Sequence, residues 1–418
     1  MKKRVRRTRN AASPAAVRFQ HGQHVLADIL IKRIPADRAL GNYFRRQNLD
    51  PALKSWVNDH VYGFLRAGIG IDILRKHNST LKGLWATYLL SVGEVTEGFH
   101  SHQIDETLKP LLPTLTKSSL PAWLHERFAE TYTDSKALEA ACKRTPGVDV
   151  RVNTLKGITR DAALTQLKLQ HYHAEATPYS PWGVRMPNSH GLQRVGLLHN
   201  GTLEVQDEGS QLVALLSGAV PGQTIIDFCA GAGGKTLAMG AMTEGKARML
   251  ALDVNERRLG NLRPRTHRAG LDNVQTVLLK NEQDPYLQRW NDKADIVLID
   301  APCSGTGTLR RNPDIKWHLG HEELDRLLTL QQQILESASR LVKPGGILIY
   351  ATCSLLPEEN QQQVEAFIET QGDFSLEPVT PRFKSAGLRL SFDKPWMQLQ
   401  PHIHGCDGLF AAVLRKQG

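Results

Sequence analysis

TIIDFCAGAGGKT, residues 224–236, decides how the rest of the chain is read. Thr224 to Phe228 form a short apolar run, long enough for a buried strand and too short for a core helix. Ala-Gly-Ala-Gly-Gly follows, and KTLAMGAM (235–242) can open a helix after that turn. Working outward, the same alternation recurs. RMLALDV (248–254), VQTVLL (274–279), ADIVLIDA (294–301) and GILIYATCS (346–354) read as strands. NERRLGNLRPRTHRAG (255–270) reads as a helix despite Pro264, and 321–342 as a long amphipathic helix with Leu324, Leu328, Leu335, Ala338 and Leu341 near one face. PEENQQQVEAFIE (357–369) is a further helix. Strands alternating with helices predict an α/β domain, a parallel sheet covered on both faces.

Ligands of such sheets sit at the carboxyl ends of the strands. The loop Cys229-Ala230-Gly231-Ala232-Gly233-Gly234-Lys235 stands at one such end, and its glycines allow a close backbone approach. The next strand ends at Asp253, a carboxylate able to accept from both ribose hydroxyls. Loop and acid together describe a site for a nucleoside-containing cofactor. The dinucleotide fingerprint would need glycine at 236, where Thr236 stands, and the spacing of a nucleotide-hydrolase phosphate loop is absent.

Cysteines occur at 142, 229, 303, 353 and 406. An odd number in a chain of this size, with no CxxC pair, fits a reducing cytoplasm and no structural zinc. A lone cysteine in a strand is most often a small core residue, and Cys142 and Cys229 fit that reading. VLIDAPCSGTG (297–307) and LIYATCSLLPEEN (348–360) differ, because each places a cysteine just past a strand end. Cys303 and Cys353 are therefore expected at the ligand edge. A thiolate and a methyl donor together suit carbon 5 of cytosine, a poor nucleophile. Thiolate addition at carbon 6 makes an enamine, and carbon 5 can then attack an electrophilic methyl. A nearby acid assists by protonating the ring or hydrogen-bonding to it, and a second thiol can help the final elimination.

The rest of the chain bounds the setting. Its 418 residues carry a net charge of +10, which favours a polyanionic partner. Lys2, Lys3, Arg4, Arg6, Arg7 and Arg9 crowd the first ten residues and read as a solvated tail able to touch phosphates. No apolar run of membrane-spanning length is seen, and the N-terminus lacks a secretory core. Leu26, Ile29, Leu30 and Ile34, then Trp56, Val57, Val61, Phe64 and Leu65, recur at helical spacing. Pro35-Ala36-Asp37 suits a helix start. VRVNTLKG (150–157) reads as a strand and turn, and TLEVQDEGSQLVALL (202–216) as a strand and helix.

On the quoted motifs the chain resembles the Nop/Sun family of RNA cytosine-C5 methyltransferases, and within it the bacterial RsmB type that acts on small-subunit ribosomal RNA. RVNTLK (151–156), VQDEGSQL (205–212), DFCAGAGGKT (227–236), DAPCSGTGTLRRNPDIKW (300–317), YATCSLLPEEN (350–360) and HGCDGLFAAVLRK (404–416) carry the resemblance through the catalytic part, and KSWVNDHVYGFLR (54–66) is similar to a NusB-like RNA-binding domain. The resemblance implies a Rossmann-like class I domain dependent on S-adenosylmethionine, with a helical NusB-like N-terminal domain. The implied division is a basic tail 1–16, a helical domain 17–140, a linker and small α+β RNA-binding subdomain 141–220, and a catalytic domain 221–418.

The resemblance implies roles too. Cys353 would be the nucleophile, and Cys303 would assist release. Asp300 would hydrogen-bond the target cytosine or the methionine part of the donor. Lys235 would lie near the site, Asp253 would hold the ribose, and the adenine contact would fall at Asn281 or, with a small gap, at Asp284. Arg310, Arg311 and Lys316 could touch phosphates or simply form an exposed basic loop. A cytoplasmic monomer acting on rRNA or an assembling small subunit, with no metal and no membrane, is the expectation. A DNA cytosine methyltransferase would place its nucleophile in the Pro-Cys motif, without the Thr352-Cys353 motif. A non-enzymatic RNA-binding assembly factor would not need Asp300, Cys303 and Cys353 intact.

Overall fold

The computed structural model describes residues 13–68, 70–76, 81–94, 119–188 and 192–418. The basic block between Lys2 and Arg9 lies outside the described residues. The tail expected over 1–16 ends sooner than its boundary. Helix α1 (Pro14–Leu30) starts at Pro14, where proline's fixed φ suits a first helical position and the Ser13 side chain accepts from Ala16 N at 3.2 Å.

The chain divides into two compact units, one holding the residues up to Lys143 together with Asn312–Leu319, the other Arg144–Arg311 with Gly320–Gly418. The first is helical. It contains α2 (Ala36–Arg46), α3 (Pro51–Ala67), α4 (Ile71–Lys76), α5 (Leu81–Ser91), α6 (Ala122–Thr131) and α7 (Ser135–Lys143). Asp50 caps α3 by accepting from Leu53 N at 2.9 Å, and Gly68 at φ +65° ends it. The periodic residues Leu26, Ile29, Val57, Val61, Phe64 and Leu65 are all buried around Trp85. Gly22 is required there, since a Cβ would stand 2.4 Å from the Trp85 ring. Asn312–Leu319, expected within the catalytic domain, groups with this helical unit. Trp317 stacks on Phe64 at 5.3 Å and donates to Leu65 O, Lys316 Nζ donates to Arg66 O, and Asp314 accepts from Ala36 N.

The second unit opens with a small antiparallel sheet of β1 (Val148–Val152), β2 (Glu175–Ala176), β3 (Gly183–Met186) and β4 (Leu203–Val205), ordered β2-β3-β1-β4 and packed on α8 (Arg160–Leu169). Helix α9 (Glu208–Leu216) leads into the large sheet. Its strands are β5 (Thr224–Asp227), β6 (Arg248–Asp253), β7 (Val274–Leu278), β8 (Ala294–Asp300), β9 (Val342–Thr352), β10 (Phe374–Glu377), β11 (Met397–Gln398) and β12 (Phe410–Lys416). The order is β10-β12-β9-β8-β5-β6-β7, with β11 beside β12. Ile225, Met249, Leu298 and Ile349 pack on one face against α9 and α10 (Gly234–Met242). Ile226, Leu250, Val297 and Leu348 pack on the other against α13 (His321–Ser339) and α14 (Gln361–Thr370). Burial on both faces is why these strands read as unbroken apolar runs.

Two expectations are corrected. The sheet is mixed, because β12 runs antiparallel to β9, β10 and β11. Residues 399–409, which return the chain from β11, are too few for a helical crossover, so the chain doubles back. The helix over 255–270 is two pieces, α11 (Glu256–Gly260) and α12 (Leu262–Ala269). Proline has no amide hydrogen for an interior helical bond, so the helix restarts with Pro264 in a first turn, where that bond is not needed.

Candidate active site

Three strands of the large sheet end in aspartate: β5 at Asp227, β6 at Asp253 and β8 at Asp300. Between them the loop 228–233 turns into α10. Gly233 makes the turn at φ +85°, and a Cβ there would lie 1.8 Å from the Leu262 side chain. Asp253 pins the loop, its Oδ2 accepting from Gly231 N at 2.7 Å and its Oδ1 from Asn255 N at 2.7 Å. Each oxygen keeps a lone pair for a diol. Val254, next to it, leaves 60% of its surface exposed and offers an apolar face for a base. This donor and acceptor set fits a bound nucleoside. Asn281 and Asp284 both fall in the loop after β7, and both act within it. Asn281 Oδ1 accepts from Gln283 N, while the two Asp284 oxygens accept from Lys280 N and Tyr286 N.

Cys303 and Cys353 come together, their sulfurs 3.3 Å apart past the ends of neighbouring strands β8 and β9. The hydrogen bond to Cys353, and then burial, hold the Cys303 thiol well above the usual thiol range. Lys235 Nζ pairs with Asp300 Oδ2 at 2.6 Å. Burial alone would lower the Lys235 ammonium, but Asp300, Asp227 and Cys353 together outweigh it, and the result is raised. Cys229 packs against the apolar core, and burial followed by Asp253 keeps its thiol protonated.

What aligns the two cysteine loops is Glu359, which is 0% exposed. Its carboxylate accepts from Ser304 N at 2.7 Å, from Gln331 Nε2 at 3.0 Å, and from the Ser304 and Ser354 hydroxyls. Ser304 follows Cys303 and Ser354 follows Cys353, so one carboxylate ties both loops. Gly307 N donates to Cys353 O at 2.9 Å, and a Cβ at Gly307 would stand 1.9 Å from Gly408 O. Glu359 was not singled out from sequence. The available signal was a pair of acids in the short turn PEEN, a few residues past the cysteine at the strand's end.

Arg310, Arg311 and Lys316 form neither a phosphate clamp nor an exposed basic loop. Arg310 Nε and Arg311 Nε donate to the two oxygens of Asp407 at 2.6 and 2.7 Å, and Arg311 also reaches Asp207 at 2.8 Å. Lys316 is buried in the helical unit, and that burial pushes it down to about 7. Charge spacing alone could not reveal acids so distant in sequence.

Asp227 is buried, with Thr236 Oγ1 donating to its Oδ2 at 2.6 Å and Oδ1 left without a partner. Burial pushes its carboxyl up to about 7, against the pull of that hydrogen bond. Between the ordinary carboxylate range and pH 7 the folded state therefore holds a proton that the unfolded state has lost, and stability falls as pH rises through that window. Asp227→Asn should remove this dependence. Its melting temperature should exceed wild type at pH 8, with the gap closing toward pH 4; a constant gap would show that Asp227 does not titrate there.

Sheet order, glycine loop and paired strand-end thiols define the class: a class I methyltransferase fold with a two-cysteine ligand edge. The chain belongs to the 16S rRNA methyltransferase RsmB/F family, which residues 214–415 match, while residues 120–193 match that family's ferredoxin-like domain. Its cofactor is S-adenosylmethionine. A ribosomal RNA small subunit methyltransferase B of Pasteurella multocida is 35% identical over 71% of this chain and 65% of its own length. A probable ribosomal RNA small subunit methyltransferase B of Synechocystis is 33% identical over 71% of this chain and 67% of its own. The match to the first thus spans just under two thirds of that relative. A solved methyltransferase homologue from Pyrococcus horikoshii superposes with TM-score 0.60 at 27% identity, over 75% of this chain and 99% of that one. Among the described residues no cluster of three or more His, Cys, Asp or Glu could hold a metal, and no helix is long and apolar enough to cross a membrane.

Proposed function

We propose that this protein methylates carbon 5 of a cytosine in small-subunit ribosomal RNA, with Cys353 as nucleophile and Cys303 assisting release. The observation that carries the reading is the 3.3 Å approach of the two sulfurs beside the Lys235–Asp300 pair. The methyl donor, when bound, supplies an electrophilic methyl. Asp253 would hold its ribose, the loop 229–235 its backbone-facing side, and Asn281 its adenine amine. Cys353 Sγ adds to carbon 6 of the cytosine, and Asp300 hydrogen-bonds the ring during addition. Once carbon 5 is methylated, a base takes its proton, the C–H electrons re-form the 5,6 double bond and the Cys353 thiolate leaves carbon 6. Cys303 as thiolate, in contact with Cys353, is placed to be that base. The cytosine has to be unstacked to reach either sulfur, which favours a single-stranded or looped target. The helical unit and the small sheet are the proposed RNA-holding parts.

The test is transfer of labelled methyl to ribosomal RNA, with bisulfite sequencing of the product. A single protected small-subunit cytosine is expected. Label entering DNA would favour the DNA-type enzyme, and binding without transfer would favour an assembly factor. Asp253→Ala should weaken S-adenosylmethionine binding by roughly tenfold or more through loss of the ribose hydrogen bonds. Unchanged affinity by calorimetry would take Asp253 out of the site.

A further inference from the structure

Gln206 is an unspent donor at the mouth of the cofactor loop. It is 7% exposed, and its Nε2 is buried with no hydrogen-bond partner. The amide's orientation is fixed chemically. Arg151, itself buried, donates through Nε at 2.8 Å, and arginine can only donate, so the atom receiving that bond is the oxygen. The NH2 group must then point the other way. It lies 3.7 Å from where a Cβ of Gly234 would stand, and within 4 Å that Cβ would meet nothing but the Gln206 amide. Gly234 is the first residue of α10, a nine-residue helix whose leading N–H groups have no helical partner and carry partial positive charge. A buried donor that lacks a partner costs roughly 1–3 kcal/mol, so a ligand that supplies an acceptor there gains by it.

The loop runs from Asp253, through Gly231, to Gly234. With the ribose at the Asp253 end, the amino-acid half of the methyl donor is the part that reaches α10. Its carboxylate is the donor's only anionic group. We propose that Gln206 Nε2 and the start of α10 bind the carboxylate of S-adenosylmethionine, with Arg151 as the residue that holds the amide in register. This rests on the methyltransferase reading and goes beyond it by assigning the carboxylate's partner to the segment before β5.

The experiment measures binding of S-adenosylmethionine and of its decarboxylated analogue by calorimetry, in wild type, Gln206→Leu and Gln206→Glu. Gln206→Glu keeps an acceptor for Arg151, so its fold is protected, but it sets a second carboxylate where the donor was. Affinity for S-adenosylmethionine should fall roughly tenfold or more in both variants, the size of a lost charge-assisted hydrogen bond. The decarboxylated analogue should bind all three proteins alike, or bind Gln206→Glu more tightly. Equal losses for both ligands would make Gln206 a packing residue and overturn the proposal. So would unchanged binding of both, or a loss confined to RNA affinity, which would assign the donor to a phosphate. Wild-type protein that binds neither ligand would overturn the cofactor reading beneath it.

Discussion

Cys303→Ala protein mixed with substrate RNA and methyl donor is expected to run as a slow covalent band on a denaturing gel, and Cys353→Ala protein is not. The two sulfurs are neighbours, so proximity does not tell them apart; their roles do. Removing the Cys353 sulfur removes the atom that bonds carbon 6, so no adduct forms, and methyl transfer should fall by roughly a thousandfold or more, as for other lost nucleophiles. Removing the Cys303 sulfur leaves that bond intact and takes away the group that aids its breakage. The enzyme then turns over once and stays attached. Cys303 suits the second role because its sulfur touches that of Cys353, and its thiolate, raised in basicity by Cys353 and by burial, is a strong acceptor for the carbon-5 proton. A band in Cys353→Ala and none in Cys303→Ala would exchange the assignments and make the Pro-Cys cysteine the nucleophile. Full activity in both would reduce the pair to packing.

Glu359→Leu should be the most destabilising single change in the site. It strands Ser304 N inside the fold and takes one of two acceptors from Gln331 Nε2, which keeps Pro302 O. The stranded amide costs about 1–3 kcal/mol and the lost bonds from Gln331 and the two serine hydroxyls add to it, so a loss of roughly 3 kcal/mol is expected from the urea midpoint. The variant's donor affinity should be nearly unchanged, since the loop 229–235 and Asp253 do not depend on Glu359. Its turnover should collapse, because the loops bearing Cys303 and Cys353 are no longer held in register. Glu359→Gln keeps shape and one acceptor and should lie between. A Glu359→Leu protein with wild-type stability would mean the buried network is not holding the loops.

The parts of this site that sequence could show share one property. Asp253, Asp300, Cys303 and Cys353 stand at or just past strand ends, and strands buried on both faces announce their ends by switching from apolar runs to small and polar residues. The sense of β12 was hidden, because apolar pattern fixes that a strand exists and not which way the connecting chain turns. The arginines at 310 and 311 were misread because their acids, Asp207 and Asp407, lie about a hundred residues to either side. Glu359 and Gln206 were missed for the same reason: a buried polar residue is defined by what it meets, and its partners come from other elements.

The grouping of Asn312–Leu319 with the helices bears on how this chain can be cut. In engineering terms the helical unit is a discontinuous module, completed by a peptide that the gene encodes some 170 codons downstream. A fragment covering 14–143 lacks the ring that stacks on Phe64 and the groups that meet Leu65 O, Arg66 O and Ala36 N. Losing a buried tryptophan alone typically costs about 3–5 kcal/mol, a large share of a small domain's stability. Such a fragment is expected to bind hydrophobic dye and melt early, and an added peptide of sequence 312–319 should restore part of its stability in trans. A fragment that melts as sharply without the peptide would show the module to be complete as cut. Domain swaps and truncations that treat the N-terminal helices as a detachable cassette would otherwise be measuring a damaged core.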